Sequence, residues 1–195
     1  MNPCERGGER MRVIAGSAKR KPLKSTEEPE MQPTIERVKE AVFSKLHFEL
    51  EGRRVLDLFA GSGQLGIEAL SRGAAHCDFV DNSKASLSCV KKNVESCGFT
   101  DRAGIYSTDA FGFIKSVNEN YDIVLLDPPF KHGILDKMLP LVAKHVEKSG
   151  IIYCETSDKE RLPEIAGDFV MDSQIKYGYI KTTYYRHKDY HEEED

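Results

Sequence analysis

The stretch LDLFAGSGQLG, residues 56–66, decides the fold. With Arg54 and Val55 before it, its first half is a short apolar run of the kind a buried strand needs. Its second half, GSGQLG, matches G-x-G-x-x-G, the glycine turn that leads a strand into a helix in doubly wound α/β proteins. Gly61 and Gly63 let backbone approach a ligand closely. Yet Asp57 stands four residues before the first glycine, and a pyrophosphate on this turn would face its carboxylate. The turn therefore suits a ligand that carries positive charge and no phosphate.

Outward from this turn, the periodicity predicts strands over 54–59, 76–81, 103–108, 121–127 and 150–155. Helices are predicted over 63–72, 83–97, 110–118, 134–148 and 158–165 between and after them. Two last strands, 168–176 and 179–187, meet at Gly178 with no helix between, which predicts an antiparallel hairpin at the sheet edge. Such alternation implies an α/β, Rossmann-like fold with a mostly parallel sheet covered on both faces. Ahead of this core (54–187), residues 34–48 read as a helix opened by Pro33 and Thr34, and 11–33 as a basic arm with a small hairpin around Gly16. Residues 11–187 read as one domain, 1–10 as a disordered extension and 188–195 as an acidic tail.

The chain has 195 residues, 39% hydrophobic and 31% charged, with net charge −4, which fits a water-soluble globular protein. No apolar run has membrane-spanning length, and no signal peptide is evident at the N-terminus. The five cysteines form no CxxC pair, so reduced thiols in a cytoplasmic protein are expected and no metal site is. His187 and His191, the two histidines with ligand-like spacing, read as solvated. From Arg10 to Lys24 there are six basic residues and no acid. The charges alone leave a polyanion contact and a solvated arm equally open.

Ligands of open α/β sheets bind beyond the carboxyl ends of the strands, and there Asp57, Asp81, Asp109 and Asp127 converge. Capping of the following helices accounts for any one of them as well as function does. Asp81, 24 residues after Asp57, stands where an acid accepting from a ribose diol is expected. An adenosine-bearing ligand with a cationic end and no phosphate is S-adenosylmethionine. Its expected site takes Asp57, Phe59, Gly61, Gly63, Asp81, Asn82, Asp109 and Ala110, with Asp109 accepting from the adenine amino group. The fourth strand then ends in Asp127-Pro128-Pro129-Phe130. Two prolines fix the backbone and remove two N–H donors, leaving carbonyls to face the cleft. The Asp127 carboxylate and Pro128 carbonyl can accept from an NH₂ group while Phe130 stacks on its ring, so these three form the expected catalytic set.

DPPF resembles the [D/N]-P-P-[Y/F] signature of methyltransferases acting on exocyclic amines of nucleobases. With MRVIAGSAKRKPLKS (11–25), PTIERVKEAVFSKL (33–46) and VLDLFAGSGQLGIEALSRGA (55–74), the chain is similar to the RsmD-type guanine-N2 methyltransferases of bacterial small-subunit ribosomal RNA. The resemblance covers residue 11 to about residue 187. It implies the class I methyltransferase fold, S-adenosylmethionine as cofactor, and methylation of N2 of a guanine in 16S ribosomal RNA or the small ribosomal subunit. Arg12, Lys19, Arg20, Lys21, Lys24 and Arg37 would then contact RNA, in a protein expected to be a monomer. An adenine-N6 methyltransferase, a nicotinamide oxidoreductase and a non-catalytic RNA-binding module stand as alternatives. The first shares the amine clamp, the second explains only the glycines, and the third leaves the complete set of site residues without a use.

Overall fold

In the computed structural model the described residues are 11–25, 32–129 and 133–190, with backbone alone for 32–35. The predicted 1–10 extension, the end of the acidic tail (191–195) and Phe130 lie outside them. The elements run α1 (Gln32–Lys45), β1 (Arg54–Asp57), α2 (Gln64–Ser71), β2 (His76–Asp81), α3 (Lys84–Cys97), β3 (Ala103–Ser107) and α4 (Ala110–Ser116). They continue with β4 (Tyr121–Leu126), α5 (Ile134–Val142), β5 (Val146–Ser157), β6 (Ile165–Ala166), β7 (Phe169–Tyr177) and β8 (Ile180–His187). Eight strands make one sheet in the order β3-β2-β1-β4-β5-β8-β7-β6. The first five are parallel, and β8, β7 and β6 pair antiparallel.

The continuous apolar runs of β1 and β4 are explained by two cores, one on each face. Val55, Ile123, Leu125, Ile151 and Tyr153 point to the face that α1, α2 and α3 cover. Leu56, Val124, Leu126, Ile152 and Cys154 alternate to the face of α4 and α5. Both sides being buried, neither face can be polar. At Gly66 helix α2 packs tightly on β2: a Cβ there would lie 2.4 Å from Phe79 Cε1 and 2.6 Å from Cys77 Sγ.

Four expectations are corrected. The helix predicted over 134–148 ends at Val142, with Pro140 already inside it and a 3₁₀ turn at 143–145. Strand β5 then starts at Val146, because Val146 pairs with Tyr121 of β4. No helix forms over 158–165: the segment, with Pro163 in it, is irregular until Ile165 and Ala166 pair with Val170 and Phe169. His187 is 7% exposed rather than solvated, edge-on to Phe169 and accepting from Asp189 N at 3.2 Å. Cys77, Cys97 and Cys154 are free thiols, but Cys89 is disulfide-bonded, against the expectation of a fully reduced set. No helix among the described residues is long and apolar enough to cross a membrane.

Candidate active site

The strand order places carboxylates on five adjacent strand ends: Asp109 after β3, Asp81 on β2, Asp57 on β1, Asp127 after β4 and Glu155 on β5. The order reverses between β1 and β4, so the crevice of the fold opens between the Asp57 and Asp127 ends.

On the β1 side, Gly61 and Gly63 take φ of +53° and +79°, conformations that side chains disfavour. A Cβ on Gly61 would meet nothing within 4 Å, so this turn presents an open face. Two N–H groups of the motif are directed at acids. Gly61 N donates to Asp81 Oδ2 at 2.9 Å and Gly66 N to Asp57 Oδ2 at 3.0 Å. In a dinucleotide-binding turn such N–H groups cradle a pyrophosphate; here carboxylates already hold them.

Asp57 is 1% exposed and lies beneath the turn. Burial pushes its carboxyl up to about 7, the Gly66 hydrogen bond pulling it back and the charge of Asp81 adding to the rise. This corrects the expectation that Asp57 faces a cationic ligand directly: Gly66 N–H, in the first turn of α2, draws it inward. Asp81 is half-buried and also accepts from Ser83 N at 2.8 Å, so each oxygen makes one backbone bond and keeps a lone pair for a diol. Asp109 is exposed and caps α4 through Gly112 N at 2.8 Å, as the capping reading requires. Nearby, Phe59 is half-buried, Asn82 exposed and Ala110 buried.

On the β4 side, Asp127 is half-buried, Pro128 buried and Pro129 exposed. The register pairs Leu126 with Cys154, so one residue further on Asp127 and Glu155 lie side by side. They share the sheet face of Leu125 and Tyr153. Tyr153 Oη donates to Glu155 Oε2 at 3.0 Å. Burial raises the Glu155 carboxyl above the usual carboxylate range, the tyrosine bond opposing it. Burial likewise lifts the Tyr153 phenol, helped by the charges of Glu155 and Asp127. Sequence reasoning missed Glu155. The signal was available, an acid closing the apolar run GIIYCE as Asp127 closes YDIVLLD.

The basic arm is docked along the α1–α2–α3 side. Met11, Val13, Ala18 and Leu23 are buried, whereas Arg12, Lys19, Arg20, Lys21 and Lys24 are exposed, as is Arg37 on α1. Arg12 lies 3.6 Å from Glu36, and a bridge between Arg12 and Pro22 closes the expected small hairpin. Gly16 passes so near α2 that a Cβ would lie 1.8 Å from Ser71 O. Glu68 of α2, fully buried, anchors the arm by accepting from Ile14 N at 2.8 Å and Ala15 N at 3.0 Å. Arg72 donates to Glu68 at 2.8 Å and buried Lys39 lies 3.7 Å from it, so the buried carboxylate is paired. Among the described residues, no group of three or more His, Cys, Asp or Glu could hold a metal.

Residues 11–186 match a family profile described as "Conserved hypothetical protein 95". The chain belongs to that family, the RsmD-type methyltransferases. A provisionally assigned ribosomal RNA methyltransferase of Bacillus subtilis (strain 168) is 38% identical, with 90% of this chain and 98% of that one covered. Ribosomal RNA small subunit methyltransferase D of Escherichia coli (strain K12) is 28% identical, over 94% of this chain and 93% of that one. Among solved structures, a provisionally assigned methyltransferase of Escherichia coli superposes with a TM-score of 0.81 at 27% identity, covering 91% of this chain and 97% of that one. The fold is that of the class I methyltransferases.

Proposed function

We propose that this protein transfers a methyl group from S-adenosylmethionine to N2 of a guanine in small-subunit ribosomal RNA. The observation that carries the reading is the pairing, across one crevice, of a glycine turn whose donors are held by carboxylates with an acceptor-only Asp127-Pro128 strand end. The family relatives named as small-subunit ribosomal RNA methyltransferases support the substrate.

The open face at Gly61 and the remaining lone pairs of Asp81 fit the methionine and ribose parts of the cofactor, and Asp109 with Ala110 fits its adenine. Asp57 acts from beneath, setting the turn. When bound, S-adenosylmethionine supplies an electrophilic methyl group on a sulfonium. Asp127 and the Pro128 carbonyl accept hydrogen bonds from the two N–H groups of the guanine amine, turning its lone pair out of conjugation with the ring and toward the crevice. The gain comes from orientation and from stabilising the positive charge that grows on nitrogen. The nitrogen forms its bond to the methyl carbon, the carbon–sulfur pair leaves with sulfur, and one proton of the amine departs toward Asp127 and solvent. Phe130, outside the described residues, is proposed to stack on the base, which must be flipped or in a loop to reach the crevice. The exposed cations of the arm and Arg37 bind phosphates. The protein acts as a monomer in the cytoplasm, without a metal.

Transfer of tritiated methyl groups onto RNA from cells lacking the gene, followed by nucleoside analysis, tests this. N2-methylguanosine in small-subunit RNA is expected. N6-methyladenosine would overturn the guanine assignment in favour of the adenine reading, and no transfer would overturn the enzyme.

A further inference from the structure

Asn93 sits on the inner side of α3, 1% exposed and outside the reacting centre. Its amide is shared between two segments. Oδ1 accepts from Lys24 N at 2.7 Å, and Nδ2 donates to Lys24 O at 2.8 Å and to Ser62 O at 2.9 Å. Lys24 belongs to the basic arm. Ser62 is the residue between the two positive-φ glycines of the turn. The other end of the arm reaches the same residue, since Ser62 Oγ donates to Met11 Sδ at 3.4 Å. Leu23 N donates to Met11 O at 2.7 Å, so the two ends of the arm are also tied to each other. Next to Ser62, Gly61 N is bonded to Asp81.

A shift of Ser62 O would leave a buried amide proton without a partner unless Asn93 moved, and a move of Asn93 would break both of its bonds to Lys24. A buried polar group abandoned in this way is strongly disfavoured, so turn and arm favour one joint arrangement. Any ligand that settles the turn therefore settles the arm that carries Lys19, Arg20, Lys21 and Lys24. Other arm contacts, those of Glu68 and Ser71, reach α2 just beyond the turn.

We propose that Asn93 is a positioning residue that links cofactor binding to RNA binding: a cofactor on the glycine turn fixes the basic arm in its RNA-binding arrangement. The inference rests on the proposed function for the identity of the two ligands. The test measures the affinity of full-length protein for a small-subunit ribosomal RNA transcript, with and without saturating S-adenosylhomocysteine. It also measures S-adenosylhomocysteine affinity with and without RNA. Wild-type protein should bind RNA about five-fold or more tighter with the ligand present, and the reciprocal factor must be equal. Asn93→Asp keeps size and the acceptor but turns an oxygen onto the carbonyls of Lys24 and Ser62. In that variant the factor should fall to about one, while each ligand alone binds within a few-fold of wild type. General destabilisation would weaken each binding step without cancelling the factor.

Wild-type protein that binds both ligands without mutual effect overturns the linkage alone. Protein that binds neither overturns the functional reading and the linkage with it. An Asn93→Asp protein that retains the full factor removes Asn93 from the linkage. If that variant does not fold, hydrogen exchange on wild-type protein decides: S-adenosylhomocysteine should slow the Leu23 and Lys24 amides several-fold, and unchanged rates overturn the proposal.

Discussion

The two turns that flank the crevice are built in opposite ways, although their strands are paired neighbours. After β1, two glycines with positive φ let the chain fold tightly, and acids take up its N–H groups at both ends. After β4, two prolines fix the backbone and delete donors, so the edge offers only a carboxylate and carbonyls. One turn is a shaped surface held by its own hydrogen bonds, and the other is a rigid pair of acceptors. On the proposed function, the difference separates two tasks, cofactor placement and amine orientation, within about one strand spacing, roughly 5 Å. Substitutions in one turn should then leave the function of the other intact.

The largest effect is expected from Asp127→Ala, which removes one acceptor of the amine. Single-turnover methyl transfer should fall by roughly two to four orders of magnitude, with cofactor affinity unchanged. Near-wild-type transfer, or lost cofactor binding, would break the division between the turns. Next comes the arm: alanine at Lys19, Arg20 and Lys21 should lower the salt slope of RNA binding by about two, at ~0.7 per phosphate contact, and affinity near 0.1 M salt by about two orders. Cofactor affinity measured by calorimetry without RNA should not change. Asp81→Ala removes the acceptor for Gly61 N and Ser83 N, so cofactor binding should weaken by about 1–3 kcal/mol, with methyl transfer at saturating cofactor much less affected.

A separate effect concerns pH and reads stability instead of binding or transfer. The folded protein keeps the Asp57 proton up to about pH 7, whereas an unfolded chain releases it near 4. Between those values the native state binds the extra proton, so stability declines as pH rises, by up to about 1.4 kcal/mol per pH unit, and levels off above 7. Asp57→Asn keeps an acceptor for Gly66 N and carries no proton to lose. Its melting temperature should therefore fall less than that of wild type between pH 5 and 7. Parallel curves would mean that Asp57 is ionised across this range.

Local pattern made much of the core legible. Runs such as RVLD and YDIVLL have few other places to go, and glycine and proline declare the turns through their own backbone limits. The failures share a cause. DKERLPEIAG spaces its apolar residues as a helix would, yet Ile165 and Ala166 pair with β7. Glu147, Lys148 and Ser149 look like a helix end, yet they lie within β5, whose start is set by a partner strand. Glu155 closes its apolar run as Asp127 does, but that the two stand side by side is set by the β4–β5 register.

By itself, the sequence determined the class of sheet, the glycine and DPP turns, and the acids that end its strands. These depend on periodicity and on backbone restrictions that each residue carries with it. Tertiary structure alone decided that Asp57 lies below the turn and that the arm is docked instead of solvated. It alone decided that Asn93 joins Lys24, 69 residues away, to Ser62, 31 residues away. Such contacts depend on which buried donor finds which acceptor once the chain has closed, and residue identity at one position does not contain that choice.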